Sequence, residues 1–416
     1  MSSPATATMN PETQPDVAPA ALGPVKNSPR TEVIGPQQLR KYEAVWAKLA
    51  TSAAVPNVFY EPWMLLPAVD HLSDGTNLQF LLVFGPAAPD GTEDLWGFFP
   101  LNIQPKTLGL PVRTLAFWQH RYCFLSVPLI HEGHVWPVLE AFWRWFERNP
   151  FQCRILDTNY LLVQGSFHFA WADFTIGRAS LALNEYPRAA LEPAASAQDY
   201  IANQFSKKHQ YEFRRWERRL SESGPLVYEQ VETEADAATF VDEFLAVEAG
   251  GWKGGSGGGA FATNTKDADY LRALTREGFA RKSVMLLSLR VGGKAIALKH
   301  NLLTADGCFT FKIAFDESYS KYSPGVLLEL ENIRRVHDGN RIKWLDSCAV
   351  ARHSLMNRVW GERRMIRRTL FSDTSWIGDL WIASIPLIRW ISKRIKPGQT
   401  ASYLQISTKQ TKSGDS

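Results

Sequence analysis

Residues 284–346 constrain the fold of this 416-residue chain more than any other stretch. Val284–Val291 has the pattern of a strand and meets Gly292-Gly293, a two-residue turn in which both positions accept a positive φ. A second strand, 294–303, turns at Asp306-Gly307 into a third, 308–315. Ser323-Pro324-Gly325 then opens a helix over 326–337, with proline pre-set for the first turn, and 342–346 reads as a closing strand. A meander running into a helix and back into a strand predicts an α/β fold built on a mixed sheet. The helix N-terminus behind the last meander strand offers N–H groups and a positive dipole end, a natural seat for phosphate.

The same order recurs upstream. Strands at 78–84 and 95–103 flank Ala88-Pro89-Asp90-Gly91, and 115–129 supplies more strand. A helix over 135–148 carries Trp136, Leu139, Phe142, Trp143 and Phe146 at helical spacing. Ile155-Leu156-Asp157 then echoes Trp344-Leu345-Asp346. We read two like halves, 36–190 and 191–371. Before them, residues 1–35 are rich in Pro, Ala, Ser and Thr and are expected to be disordered. After them come an amphipathic helix, 372–396, and a polar tail, 397–416, also expected to be disordered. The first half has Pro128-Leu129-Ile130 where the second has Ser-Pro-Gly, so only the second half is expected to hold a cofactor.

Composition narrows the function classes. With 45% hydrophobic and 21% charged residues, the chain is expected to be a soluble globular protein. It shows no leader-like apolar segment and no apolar run of spanning length, which predicts a cytoplasmic location. A net charge of +4 is small for this length and predicts no DNA partner. Cys123, Cys153, Cys308 and Cys348 are far apart and read as buried, reduced thiols. His300 and His353 lack metal-ligand spacing, so no metal is expected. Gly255-Ser256-Gly257-Gly258-Gly259-Ala260 fits a dinucleotide fingerprint by letter, but it follows a helical pattern instead of a strand and reads as a loop.

The run FKIAFDESYSKYSPGVLLELE (311–331) lies between Glu248-x-x-x-Trp252-Lys253-Gly254 upstream and Trp344-Leu345-Asp346 downstream. Together these resemble the CelD-like branch of GNAT acetyltransferases, a branch named for a cellulose-biosynthesis context and related to the FemAB-like tandem GNAT proteins. The motifs cover about 200–371, and 55–190 follows by pattern. The resemblance implies tandem GNAT-like halves, the second being the complete acyl-CoA N-acyltransferase fold. It implies acetyl-CoA as co-substrate and an amine of a sugar, amino acid or small molecule as acceptor, in polysaccharide or envelope biosynthesis. A phosphate loop with less Gly and Arg than usual leaves two alternatives open: aminoacyl-tRNA-dependent transfer, as in FemAB-like relatives, and a non-catalytic scaffold in polysaccharide assembly.

Direct attack of an amine on a thioester requires positioning, an oxyanion donor and a base titrating near neutrality. The resemblance assigns cofactor contacts to Phe311, Ile313, Ser323, Pro324, Gly325 and Val326. Tyr319 or Tyr322 would protonate the leaving thiolate, and Trp252 and Lys253 in the loop 250–264 would touch the acceptor. Glu248, just before that loop, is the first candidate base. Asp346 is the second, with His300, Asp316 and Glu317 behind them. Lys299, Lys312 and Arg352 are unusual in or beside apolar strands. Lys312 is expected to face the cleft and pair with an acid or an anionic ligand.

Two helical segments carry interaction readings. The basic helix 199–220 has Lys207, Lys208, Arg214, Arg215, Arg218 and Arg219 interleaved with aromatics. It is expected to be a solvated face, with a tRNA surface as the alternative. The segment 376–395 has an apolar stripe of Ile377, Leu380/Trp381, Leu387/Ile388, Ile391 and Ile395 ending in basic residues. It suits docking on its own domain, or peripheral contact with the inner membrane surface.

Overall fold

The computed structural model describes residues 28–395 apart from 109, 252, 253, 256–258 and 340. The first part of the chain forms β1 (Arg30–Ile34), α1 (Glu43–Thr51), α2 (Pro62–Leu72), β2 (Leu78–Phe84), β3 (Leu95–Gln104) and β4 (Thr114–Phe117). It continues through β5 (Leu129–Ile130), α3 (Val135–Glu147), β6 (Ile155–Asp157), β7 (Leu161–Leu162), α4 (Gly165–Thr175) and β8 (Ser180–Leu191). Next come α5 (Ala197–Gln204), α6 (Lys207–Ser221), β9 (Leu226–Gln230), α7 (Glu234–Gly250), α8 (Thr265–Ala280), β10 (Val284–Val291) and β11 (Lys294–Leu303). The chain closes with β12 (Gly307–Phe315), α9 (Pro324–Asp338), β13 (Trp344–Asp346), α10 (Ser354–Val359), β14 (Glu362–Ser372) and α11 (Trp376–Ile395).

One mixed sheet joins these strands in the order β1-β2-β3-β4-β6-β14-β8-β13-β12-β11-β10-β9, with β5 on β3 and β7 on β14. From either edge inward the pattern is the same. An antiparallel meander ends in a strand whose next neighbour is parallel to it: β4 with β6, and β12 with β13. Parallel neighbours need a crossover, and α3 and α9 supply it. The tandem α/β reading therefore holds. The halves are joined by exchange at the centre. β8, at the end of the first half, pairs with β13 of the second, and β14, at the end of the second, pairs with β6 of the first. β8 and β14 also pair with each other along nearly their whole length, from Ala190–Glu362 to Ser180–Phe371.

Each exchange is clamped by the aspartate of the Leu-Asp pair. Asp157 is fully buried and takes Arg368 of β14 through Nε at 3.0 and 3.2 Å and Nη2 at 2.5 Å. Asp346 takes Arg188 of β8 through Nη1 at 3.4 Å, both side chains being 1% exposed. Each aspartate also accepts the N–H two residues on, from Asn159 at 3.2 Å and Cys348 at 2.8 Å. Arg188 further donates to the Phe124 carbonyl at 2.7 Å and the Tyr186 hydroxyl at 2.9 Å.

A second buried pair seats α9. Lys299 Nζ on β11 meets Glu329 Oε2 at 2.6 Å with both side chains fully enclosed. The other Glu329 oxygen accepts from Asn332 at 2.9 Å and Trp360 at 3.1 Å. This answers the Lys299 anomaly, since an enclosed ammonium is tolerated when its charge and donors are matched.

Four expectations need correction. Residues 30–34 were expected to be disordered but form β1 on β2. Ile34 is buried there, and Arg30 lies over Phe84 while paired to Glu32 and Glu93. Residues 1–27 lie outside the described residues. The expected strand 115–129 pairs only at Thr114–Phe117 and Leu129–Ile130. Between them, side chains take carbonyls that a ladder would use: Asn57 those of Leu125 and Val127, Arg188 that of Phe124, Tyr60 that of Trp118.

The expected helix 199–220 is two helices. Phe205 is extended (φ −121°, ψ 133°), and Ser206 caps α6 by accepting the His209 N–H at 3.3 Å. α6 buries Phe213 and Leu220. On α11 the docked side is Ile382 and Ile385, packed with Val112, Ile155 and Leu370. Trp376, Leu380, Leu387, Trp390 and Ile391, partly the expected docking stripe, are exposed. No helix among the described residues is long and apolar enough to cross a membrane, and the tail 397–416 lies outside them.

The seating of α9 gives a test. Lys299→Met strands a buried carboxylate and is expected to cost about 3–5 kcal/mol, whereas Lys299→Met with Glu329→Met restores most of it. Denaturant unfolding of the single and double variants measures both.

Candidate active site

β12 departs from regular geometry where chemistry is expected. His300 faces Lys312 and Asn301 faces Thr310, so Phe311 is one residue too many and forms a β-bulge. Bulges re-aim side chains and main-chain groups and often lie next to active sites. β12 and β13 run parallel only as far as Phe309–Asp346, while β12 continues to Phe315. The sheet thus opens beside the bulge. Beyond it, the turn Glu317–Tyr322 leads to Ser323, which is left-handed (φ 47°, ψ 54°) and places Pro324 at the first position of α9. The Val326 N–H returns to the Ser323 carbonyl at 2.9 Å. Pro324, Gly325 and Val326 are buried. A Cβ on Gly325 would meet Leu355, Phe315 and Ile313 side chains at 3.5–3.7 Å, ordinary contact, so no close approach demands glycine there.

Lys312 enters a box of rings drawn from both halves. Its Nζ lies 5.0 Å from Tyr122, 5.4 Å from Phe261, 5.5 Å from Phe124 and 5.9 Å from Phe311. Four π faces around one ammonium are a favourable setting when water is thin. Tyr319 and Tyr322 are half-buried against the core under α9, with Lys294 over Tyr319 and Lys321 over Tyr322.

The candidate bases separate by environment. Glu248 is 4% exposed at the end of α7, and its Oε2 accepts the Phe261 N–H at 2.9 Å, so it ties the end of α7 to Phe261. Trp252 and Lys253 lie outside the described residues. Asp346 is held by Arg188 and the Cys348 N–H, and it also lines a cavity of about 200 Å³ with Phe309, Trp344, Gln164 and Arg364. Asp157 makes the same contacts in the first half, which marks the Asp346 carboxylate as a clamp. His300 falls out as a base. It is enclosed beside Phe240 and Phe311 and paired to Thr275 at 3.0 Å, and burial lowers its pKa to about 3. That is too low to take a proton near neutrality. Asp316 is held below its ordinary value, chiefly by Lys294 and then by Ser318, and Glu317 is exposed.

All four cysteines are buried and free. Burial pushes the Cys123 and Cys308 thiols up to about 12, which keeps them protonated and poorly nucleophilic. Among the described residues no group of three or more His, Cys, Asp or Glu gathers as a metal set. The sequence reading missed the contribution of Tyr122 and Phe124, because the loop that presents them read as strand.

Two neutral buried imidazoles set a pH limit on stability. Burial lowers His300 and His120 to about 3, the latter with help from Arg121. Between that value and 6.5 the unfolded chain binds protons the folded chain refuses, so stability falls as the pH drops through 6.5. Each imidazole is expected to cost about 2 kcal/mol at pH 5. His300→Gln is expected to flatten the loss between pH 7 and pH 5 by that amount in denaturant titrations. An unchanged pH dependence would refute it.

Residues 207–352 match the family described as acetyltransferase (GNAT) domain. No curated protein matches the chain. Similar solved structures include a protein of unknown function from Bacteroides thetaiotaomicron VPI-5482, at 12% identity and TM-score 0.49, covering 82% of this chain and 99% of that one. FemX is similar at 8% identity and TM-score 0.48, covering 82% and 96%. A tandem GNAT protein from the clavulanic acid biosynthesis pathway is similar at 12% identity and TM-score 0.43, covering 83% and 98%. Residues 207–352, within the second half, thus match the GNAT acetyltransferase domain family, and strand exchange joins that half to a first half of the same strand order.

Proposed function

We propose that the protein is an acyl-CoA-dependent N-acyltransferase that moves an acetyl group to an amine of a sugar, amino-acid or small-molecule acceptor. The observation that carries this reading is the bulged β12 parting from β13 directly before the α9 N-terminus. In this reading Phe311 and Ile313 offer main-chain groups beside the thioester, and Ser323–Val326 receives the phosphates. The basic helix α6 packs against the turn before α9 and adds positive field there. The amine attacks the thioester carbon, the C–S bond breaks, and Tyr319 or Tyr322 protonates the thiolate. Glu248, at the acceptor-loop end, is the group we assign to the amine proton. Asp346 keeps the cleft strand in place. The catalytic unit is residues 191–371, and a polysaccharide or envelope amine suits the family resemblance.

Thermal shift with acetyl-CoA, free CoA and longer acyl-CoAs tests this first, since a ligand of the folded state raises apparent stability with concentration. Acetyl-CoA is expected to raise the melting temperature and to release thiol in the presence of an amine. Replacing both Tyr319 and Tyr322 by Phe is expected to lower kcat at least about 100-fold. No shift with any acyl-CoA, together with salt-sensitive tRNA binding that Arg214, Arg215, Arg218 and Arg219 support, would move the chain to the aminoacyl-tRNA reading.

We also propose that α11 lies on an anionic membrane surface. Its exposed side carries Trp376, Leu380, Leu387, Trp390 and Ile391, and Arg394 sits 4.0 Å over Trp390. Flotation with phosphatidylserine vesicles is expected for the wild type. It is expected to be lost when Trp376, Leu387 and Trp390 become Ser, with melting temperature unchanged.

A further inference from the structure

A cavity of about 300 Å³ lies where the two halves meet, away from the residues that the sequence singled out. Asp74, Asn102, His120 and Arg121 line it from the first half, and Lys266 and Asp267 from the start of α8 in the second. Its deep wall is polar and unusually short of partners. Asp267 is 1% exposed; Arg121 takes its Oδ2, while its Oδ1 has no hydrogen-bond partner among the described residues. His120 is 6% exposed, and its Nδ1 accepts the Tyr122 N–H at 3.3 Å. The ring proton therefore sits on Nε2, and that donor also lacks a partner. The Tyr270 hydroxyl is likewise unpartnered, the Tyr122 hydroxyl stands beside the Asp267 carboxylate, and the two rings stack at 5.7 Å.

Buried polar groups without partners are rare, and each costs about 1–3 kcal/mol. An acceptor oxygen and a donor nitrogen left open in one cavity define what would satisfy them. The Asp267 oxygen wants an N–H or ammonium. His120 Nε2–H wants an oxygen. An anion would meet the Asp267 carboxylate head-on, and an apolar molecule would leave every group unmatched. Burial holds the Asp267 carboxyl above its ordinary value even beside Arg121, so a cationic partner relieves a real cost. Behind that wall, Tyr122 follows the lining residues His120 and Arg121 and joins them to the rings of the bulge. Tyr122 stacks on Phe261 at 4.2 Å and meets the bulge residue Phe311 edge-on at 6.3 Å.

We infer that this cavity is the acceptor pocket, that it takes a small primary amine carrying a nearby hydroxyl or carbonyl oxygen, the amine on Asp267 and the oxygen on His120, and that Asp267, which lines the cavity as Glu248 does not, is the first group the amine proton meets. The inference rests on the N-acyltransferase reading and gives it an acceptor class. Amino sugars and amino-acid derivatives belong to that class. Lys266, paired to Asp74, and Arg121, paired to the other Asp267 oxygen, stand at the rim.

Calorimetric titration of the full chain with glucosamine, serine methyl ester and ethanolamine, and with N-acetylglucosamine as the amine-free control, tests the pocket. At least one oxygen-bearing amine is expected to bind wild type, and the control is not. Asp267→Asn and His120→Phe are each expected to weaken that binding about tenfold or more, and His120→Gln, which keeps a donor, to restore part of it. Acetyl-CoA thermal shifts are expected to be the same in all four proteins. Amine binding that ignores both positions overturns the inference, as does a panel in which no oxygen-bearing amine binds wild type. If amines bind in an Asp267-dependent way but no acyl-CoA binds, the pocket stands and the acyltransferase reading falls.

Discussion

Two aspartate–arginine pairs, each with a buried carboxylate, decide whether this sheet exists as one object. Asp157 with Arg368 and Asp346 with Arg188 each tie the inner strand of one half to the last strand contributed by the other. Backbone pairing alone fixes strand direction, but a strand can slip by two residues and keep its faces. A buried carboxylate that must meet one guanidinium cannot tolerate such a slip, because the carboxylate left alone in the interior is expensive. The two pairs therefore set the register of β8 and β14. Through that register they place Asp346 at the point where β12 and β13 part.

The second half then inherits its geometry. With β13 fixed, the longer β12 extends past it, and the extra residue at Phe311 turns the strand as it leaves. The Lys299–Glu329 pair presses α9 onto β11, so the helix start cannot drift from the opening in the sheet. The first half completes the arrangement from across the boundary. Tyr122 and Phe124 close the ring box around Lys312, and the Arg188 that holds Asp346 also holds the Phe124 carbonyl. A half without a Ser-Pro-Gly helix start still supplies walls to the ring box around Lys312 in its neighbour.

Much of this was legible in the sequence, for physical reasons that differ by element. Gly292-Gly293, Asp306-Gly307 and Ser323-Pro324 punctuate the second half with residues whose backbone preferences are strong, and its strands and helix fall where those residues put them. The repeated Leu-Asp was visible, but its purpose was not, since its partners lie 158 and 211 residues away. Lys299 announced itself as a lysine in an apolar strand. The bulge did not, because Phe-Thr-Phe-Lys-Ile keeps an unbroken strand composition. The loop after β4 looked like strand for a related reason. Its apolar residues are buried, yet its carbonyls are claimed by Asn57, Tyr60 and Arg188, which no local pattern predicts. His120 and Asp267 were missed because each is ordinary alone, and only the fold brings them to one cavity.

Strand exchange has a consequence for how the chain is made. Asp157 and Arg368 are 211 residues apart, so β6 leaves the ribosome long before β14 exists to cover it. Until then the first half presents an open, apolar sheet edge, the kind of surface that recruits foreign strands. Contacts of such sequence separation also slow the search for the native topology. Biogenesis should therefore be limited by the arrival of residues 362–372, with chaperone dependence ending only once that strand has closed the sheet.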